Sequence, residues 1–450
     1  MKTFFVTLPR EIDIRNFILG DFYTLAKNNP DMRLVIFVAP ERLAHYRSIF
    51  SHERCMLEPF PGLHPEKMPM RQFFSLISYA SLPTATIQFR QKMAYLNGGS
   101  LGAFLGKKIL WRLGHFGVWR VFLRALDFVL IHDDRLWDPY FQKYQPCAVL
   151  APGLTDEKDL SILRYARQKR IPAVGMPRSW DNLTSKLILR VFPDVLLVQN
   201  PSMAGEAQSL GDFPARRIRV VGFPQFDHYL DPGWRMSREE LAQRFGLDPL
   251  RRWVIYFTGG LASSLLGKND YSDHVEMLMN ASERGEFGNA QIVVRVHPSD
   301  KNVLKGKAAR APALDFGQDF NFGTEDLKLL SNIVRESAVT VNTGSTMTLE
   351  AAIFDRPIVL AAFDGYDEKK LLWQKKLSVA LDHTLHYQDL ERTGGMARAN
   401  DESELVAKVR MYLENPKLHQ EGRMRLREQF VGPLDGQAGQ KIWEHLRALS

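Results

Sequence analysis

The densest chemistry in the chain lies in residues 340–362, TVNTGSTMTLEAAIFDRPIVLAA, which read as a strand, a polar glycine turn, a helix and a second buried strand. In the turn Thr343-Gly344-Ser345-Thr346, glycine permits a tight bend and close approach of a ligand, while amides at the helix start join the Ser and Thr hydroxyls as donors to an anion. A phosphate suits such a turn. Glu350 lies four residues after Thr346, on the same helix face, where a carboxylate can accept from two vicinal sugar hydroxyls. The plainer alternative is a capped helix with an exposed glutamate.

Residues 293–300, VVRVHPSD, form a buried strand ending in a His-Pro pair. Arg295 and His297 share strand parity and so project to one side, where a guanidinium and an imidazole stabilise a charged leaving group. Protonated His297 can donate to a phosphate oxygen as the glycosidic bond to it breaks. Alternatively, His297 holds the turn that follows. A third segment, residues 256–264 (YFTGGLASS), places Thr258, Gly259 and Gly260 directly after a strand. It has no Gly-Lys-Ser/Thr ending and lacks the dinucleotide spacing, which weakens ATP and NAD as ligands. It offers amides and hydroxyls to a phosphate or sugar, or is a plain turn.

An acceptor hydroxyl must lose its proton while attacking a sugar carbon, and Asp181, in residues 175–186 (GMPRSWDNLTSK), is the candidate base. Its alternative role is N-cap of a helix starting near Leu183. Asp133 with Asp134, and Asp156 with Glu157, are further acidic candidates. No metal is expected, because there is no HExxH and the pair His383 and His386, read as surface residues, has no cysteine nearby. Gly98-Gly99-Ser100-Leu101-Gly102 fits Gly-x-Ser-x-Gly, but follows helix-like residues where a hydrolase elbow needs a strand. Thr393-Gly394-Gly395 has no assigned role.

These segments need a scaffold of parallel strands. Short β-branched runs at residues 2–8, 33–39, 148–151, 173–176 and 195–199 alternate with helices such as 17–28 and 160–169, then again at 253–257, 291–296, 339–342 and 357–361. Between the two series, VVGFPQFDHYLDPGW carries two glycines, two prolines before its end and no periodicity, and marks a linker. Ser237 and Glu240 form a capping box at the start of the second series. The expected architecture is α/β: an N-terminal Rossmann-like domain over 1–222, a second over 223–435, and an amphipathic helix in 436–450 that crosses back to the first. Two such sheets in tandem bind ligands at the carboxyl ends of their strands, on either side of one cleft.

With 450 residues, 45% hydrophobic and 24% charged, the chain is too long for one core. Two cysteines, Cys55 and Cys147, provide no disulfide framework, as in a reducing cytosol. The N-terminus has too short an apolar run for a signal peptide, and no run approaches the roughly 20 residues that span a bilayer. The net charge of +8 arises in residues 67–126, which contain nine bases and no acid. Aromatic residues interleave with the bases, a mixture suited to an anionic membrane surface or, as the competing partner, nucleic acid. Lys107, Lys108, Trp111, Arg112, Trp119 and Arg120 are the expected membrane or acceptor contacts, with no nucleic acid.

Together the segments resemble the two-domain GT-B glycosyltransferases, especially bacterial enzymes of cell-surface carbohydrate synthesis. RVHP at 295–298 followed by TGST at 343–346 is similar to the His-Pro and Ser-Ser/Thr motif pair of bacterial sialyltransferases, capsular Kdo transferases and CDP-glycerol glycerophosphotransferases. In those families the pair holds a cytidine nucleotide's phosphate. VVGFPQFD at 220–227 resembles the GxPxxD segment before their donor domain and in lipid A disaccharide synthase, and SWDNLTSK resembles a first-domain segment of surface-carbohydrate transferases. Asn342-Thr343-Gly344 departs from the acidic residue frequent before the Ser pair, and STMTLEAA resembles the sugar-diphosphate helix whose Glu binds ribose. The non-hydrolysing UDP-N-acetylglucosamine 2-epimerases are a more distant likeness.

The resemblance implies a metal-independent transferase in capsule or lipopolysaccharide synthesis, with no cofactor and a CMP-, CDP- or UDP-linked sugar as substrate. Arg295, His297, Ser345 and Thr346 are expected at the leaving phosphate, Glu350 at ribose, and Thr258, Gly259, Gly260, Thr343 and Gly344 around the donor. Asp181 is expected as base and a glycan or lipid-linked hydroxyl as acceptor, with domain closure excluding water. The expected location is cytoplasmic, at the inner face of the membrane. A glycerophosphotransferase and a UDP-sugar 2-epimerase are the alternatives.

Overall fold

The computed structural model describes residues 1–260, 272–297, 306–314, 324–367 and 369–449. The chain divides into two compact units, Met1–Leu230 with Gly432–Ser450, and Asp231–Val431.

The first unit is built on seven strands: β1 (Lys2–Leu8), β2 (Met32–Val38), β3 (Cys55–Pro59), β4 (Ala148–Ala151), β5 (Ala173–Gly175), β6 (Val195–Val198) and β7 (Ile218–Val220). All neighbours are parallel, in the order β3-β2-β1-β4-β5-β6-β7. Their apolar runs are buried because helices cover the sheet. The helix expected over 17–28 is broken into Glu11–Phe17 and Asp21–Asn28, with Gly20 extended at the N-cap between them. Short β3 and β7 were not among the expected strands; the sequence CMLEP, with its Glu and Pro, hides the first.

The terminal helix Ala438–Arg447 packs in this unit, where Trp443 meets Phe4 and Phe22 edge-on at 5.6 and 5.7 Å. A Cβ on Gly439 would lie 2.7 Å from the Phe22 amide nitrogen, so glycine lets these helices touch. The boundary falls after Leu230 instead of at 222/223, and residues 432–435 return with the first unit. The reason is packing: Pro224–Leu230 forms a 3-10 helix that buries Phe226 and Tyr229. Asp227 accepts from the amides of Ala438 (2.9 Å) and Gly439 (2.8 Å). The aspartate of the GFPQFD segment therefore caps the returning helix.

Between β3 and β4 lies a helical insertion that includes Pro69–Ala80, Ala85–Leu96, Leu101–Leu113, Gly117–Leu130 and Asp134–Tyr144. Ser100 accepts from the amide of Ala103 and caps its helix, so the Gly-x-Ser-x-Gly match is a helix start. Among the described residues, no helix is long and apolar enough to cross a membrane.

The second unit repeats the winding with β8 (Arg252–Gly260), β9 (Ala290–Arg295), β10 (Ala313–Leu314), β11 (Ser337–Thr343), β12 (Ile358–Ala361) and β13 (Ala397–Ala399), ordered β10-β9-β8-β11-β12-β13 and all parallel. The Ser237/Glu240 capping box is formed at helix Arg238–Phe245. Gly394 and Gly395 pack backbone to backbone against Gly422, where a Cβ would fall 2.1 Å from Gly394 O, which gives Thr393-Gly394-Gly395 a packing role. In each sheet the strand order reverses at one point, between β1 and β4 and between β8 and β11, where open α/β sheets bind ligands.

Candidate functional site

At the carboxyl end of the second sheet, β9, β8 and β11 lie side by side and bring the three turns together. The backbone N–H of His297 donates to Thr258 Oγ1 at 2.8 Å, and the Thr343 hydroxyl donates to the Gly259 carbonyl at 2.8 Å. Gly259 sits at φ +80°, and a Cβ there would stand 3.1 Å from His297 Cβ. Thr343 is in register with Gly260. The glycine-rich loop thus continues β8 between the His and Ser/Thr turns; residues 261–264 and 298–300 lie outside the described residues.

One expectation changes here, and one plainer alternative does not hold. β9 stops at Arg295, so His297 is not on the strand and shared parity with Arg295 does not apply; the Thr258 bond holds it instead, with the residue exposed. Arg295 is half-buried and in register with Phe257 and Leu314. Glu350 is buried rather than exposed, one turn beyond Thr346, whose carbonyl accepts from its amide.

The Thr343–Thr346 turn owes its shape to a residue that motif spacing did not single out. Buried Asn342 accepts through Oδ1 from the Gly344 amide (2.9 Å) and the Thr348 hydroxyl (3.2 Å), tying the turn to helix Met347–Ile353. Gly344 has φ +87°, and a Cβ would meet Leu381 at 3.1 Å and Tyr387 at 3.2 Å. Ser345 Oγ accepts from the Met347 amide at 3.3 Å. The same packing buries His386, beside Tyr387, rather than leaving it on the surface; His383 is half-buried with Nδ1 at the Val379 carbonyl. Among the described residues, no group of three or more His, Cys, Asp and Glu is placed to hold a metal.

In the first unit Asp181 is half-buried after β5. It stands at the N-cap of helix Asn182–Ser185 but makes no side-chain cap bond, accepting instead from Ser185 Oγ (2.9 Å) and Asn182 Nδ2 (3.3 Å). The other acids are committed to ion pairs: Asp134 to Lys169 (2.7 Å), Asp156 to Arg10 (2.5 Å), and Asp133 to Arg71 (2.6 Å) and Arg164 (2.8 Å). Glu157 pairs with buried Arg190.

A polar cluster not foreseen from sequence lies at the ends of β1, β4 and β5. Thr7 Oγ1 donates to Asp159 Oδ1 (2.5 Å), and Arg178 bridges Asp159 (3.0 Å) and Asp13 (2.6 Å). Burial pushes the Asp159 carboxyl well above the ordinary range and raises Asp13, while the Arg178 guanidinium opposes both shifts. A Cβ on Gly153, just after β4, would stand 1.9 Å from the Asp159 carboxylate and 2.6 Å from the Arg178 guanidinium, so any side chain there would have to displace this pair. The available signal was Arg178, three residues before Asp181 in a segment already singled out.

The expected membrane contacts separate into two groups. Trp111 and Trp119 direct their indole N–H groups inward, to the Thr84 carbonyl and Ser81 Oγ, both at 3.0 Å. Buried Arg120 pairs with Asp212 at 2.5 Å. Arg120 is buried and the two tryptophans half-buried, with the polar atoms of all three satisfying groups inside the fold. Lys107 and Lys108 are half-buried and Arg112 is exposed.

No protein-family model matches the chain, and no curated protein does. Solved structures match over its whole length. The UDP-GlcNAc 2-epimerase from Neisseria meningitidis, bound to UDP-GlcNAc, is similar at 11% identity and TM-score 0.55, with 100% of both chains covered. S. aureus MnaA, in a co-structure with UDP, is similar at 11% identity and TM-score 0.54, covering 99% of this chain and 96% of its own. The wall teichoic acid polymerase TagF, in a form soaked with CDPG, is similar at 11% identity and TM-score 0.51, covering 99% of this chain and 88% of its own. With its two parallel, doubly wound units, the chain has the GT-B fold.

Proposed function

We propose that the chain is a metal-independent GT-B glycosyltransferase of bacterial cell-surface glycan synthesis. It moves a sugar from a nucleotide-activated donor to a hydroxyl of a polysaccharide or lipid-linked acceptor. The observation that carries this reading is the convergence of Thr258–Gly259, His297 and Thr343–Thr346 at the switch point of the second unit. Hydroxyls, glycine backbone, an imidazole and nearby Arg295 make a donor-rich surface suited to a phosphate whose charge grows as the sugar leaves. In this scheme Arg295, His297, Ser345 and Thr346 stabilise the leaving phosphate and Glu350 accepts from ribose. Asp181 takes the acceptor's proton.

The test is thermal stabilisation by CMP, CDP, UDP, GDP and dTDP, since a ligand at about 100 times its Kd adds roughly 2.7 kcal/mol. A selective shift supports the donor site and names its nucleotide; no shift with folded protein overturns it. Two other activities have specific support. The epimerase neighbour bound to UDP-GlcNAc favours a 2-epimerase, which would turn over a UDP-sugar with no acceptor. The TagF likeness favours CDP-glycerol-type glycerophosphate transfer, which would show a shift with CMP or CDP and release CMP.

A further inference from the structure

Residues 67–126 fold inside out. In helix Gly117–Leu130 the buried residues are Arg120, Leu123 and Asp127, whereas Val118 (83% exposed), Val121 (59%), Phe122 and Val129 (62%) form an outward stripe at helical spacing. The charged side chains point inward because partners wait there. Arg120 and Arg124 pair with Asp212, and Asp127 pairs with Arg164 at 2.7 Å in a buried network that also holds Arg71, Asp133, Glu157 and Arg190. Helix Pro69–Ala80 buries Arg71 together with Phe74, while Met70, Phe73 and Leu76 are exposed. Helix Leu101–Leu113 buries no residue at all and exposes Leu101, Leu105 and Ile109, one face four residues apart. Soluble helices place these classes the other way round.

Charge decides what covers this face. Of the nine bases, Arg71 is committed to buried acids, Arg120 and Arg124 to half-buried Asp212, and Arg90 donates to the Ser185 carbonyl. Lys67, Lys92, Lys107, Lys108 and Arg112 remain at the surface, in a stretch without a single acid. A second copy docked by a two-fold axis would set these bases against themselves. An anionic bilayer complements both the bases and the apolar stripes.

We infer that helices Leu101–Leu113 and Gly117–Leu130 insert shallowly into an anionic lipid leaflet, the aliphatic stripes entering the acyl boundary and Lys107, Lys108 and Arg112 meeting lipid headgroups. Binding is set mainly by apolar insertion, so it survives salt that would release a purely electrostatic contact. This places the chain on a membrane whichever reaction its second unit carries out.

The full chain is sedimented with vesicles of phosphatidylcholine mixed with about an equal share of phosphatidylglycerol, and with phosphatidylcholine alone. It is expected to pellet with the mixed vesicles and largely persist there at high salt. Leu105→Asp with Ile109→Asp, or Val118→Asp with Val121→Asp, should lower partitioning by about tenfold or more, because each removes two apolar insertions. Lys107→Glu with Lys108→Glu and Arg112→Glu should abolish the preference for anionic vesicles. Protein that stays in the supernatant, aspartate variants that bind as the parent does, or a dimer in light scattering that those variants dissociate would each overturn the inference. The substituted apolar side chains are about half-exposed or more and none of the substituted residues is buried, so unchanged melting temperature and nucleotide shifts separate this test from that of the donor site.

Discussion

The two units share one winding and carry opposite chemistry at their switch points. In the first, the strand ends hold Asp13 and Asp159 around Arg178, buried and mutually neutralising. In the second they hold Thr258, Gly259, Thr343, Gly344 and Ser345, hydroxyls and backbone joined by hydrogen bonds, with His297 exposed beside them. In the first arrangement the carboxylates are buried and already committed to Arg178; the second, rich in hydrogen-bond donors, suits an anion. One winding therefore presents different groups just past the strands of each unit.

The contrast can be broken most forcefully at Arg178. Arg178→Ala leaves two buried carboxylates without their cation and is expected to cost about 3–5 kcal/mol in denaturant unfolding. His297→Ala, whose side chain is exposed, should leave stability near the parent's. If His297 assists the leaving phosphate, its loss lowers turnover by about 10²-fold or more with donor affinity little changed. A fall in affinity alone would make it a binding residue. Gly344→Ala forces a side chain into a φ of +87° against Leu381 and Tyr387, and should cost about 1–2 kcal/mol and weaken nucleotide binding, read by melting with and without ligand.

Asp227→Ala should have the smallest effect, about 1 kcal/mol, as the loss of a helix cap. Burial, partly offset by the Gly439 and Ala438 amides, raises the Asp227 carboxyl to about 6. A carboxyl raised on folding binds its proton more tightly in the native state, so its stabilising contribution is complete below the unfolded value near 4 and falls as pH rises through about 6. Unfolding of parent and variant between pH 4 and 7 should therefore show a steeper decline in the parent.

The sequence by itself determined much of the scaffold. Runs such as AVLA at β4 and the core of β8 and β9 are apolar on both faces, which only a covered parallel sheet accommodates, and the Ser237/Glu240 box and the three polar turns are local patterns readable over a few residues. Tertiary structure alone decided which charges meet. Asp227 caps a helix 211 residues away, Thr7 finds Asp159 across 152 residues, and Arg120 reaches Asp212 across 92. Those distant pairings reverse what local pattern implies: they draw the charges of helix Gly117–Leu130 inward and turn its valines out. Periodicity reports that a helix has two faces, and only the partners across the fold fix which one is buried.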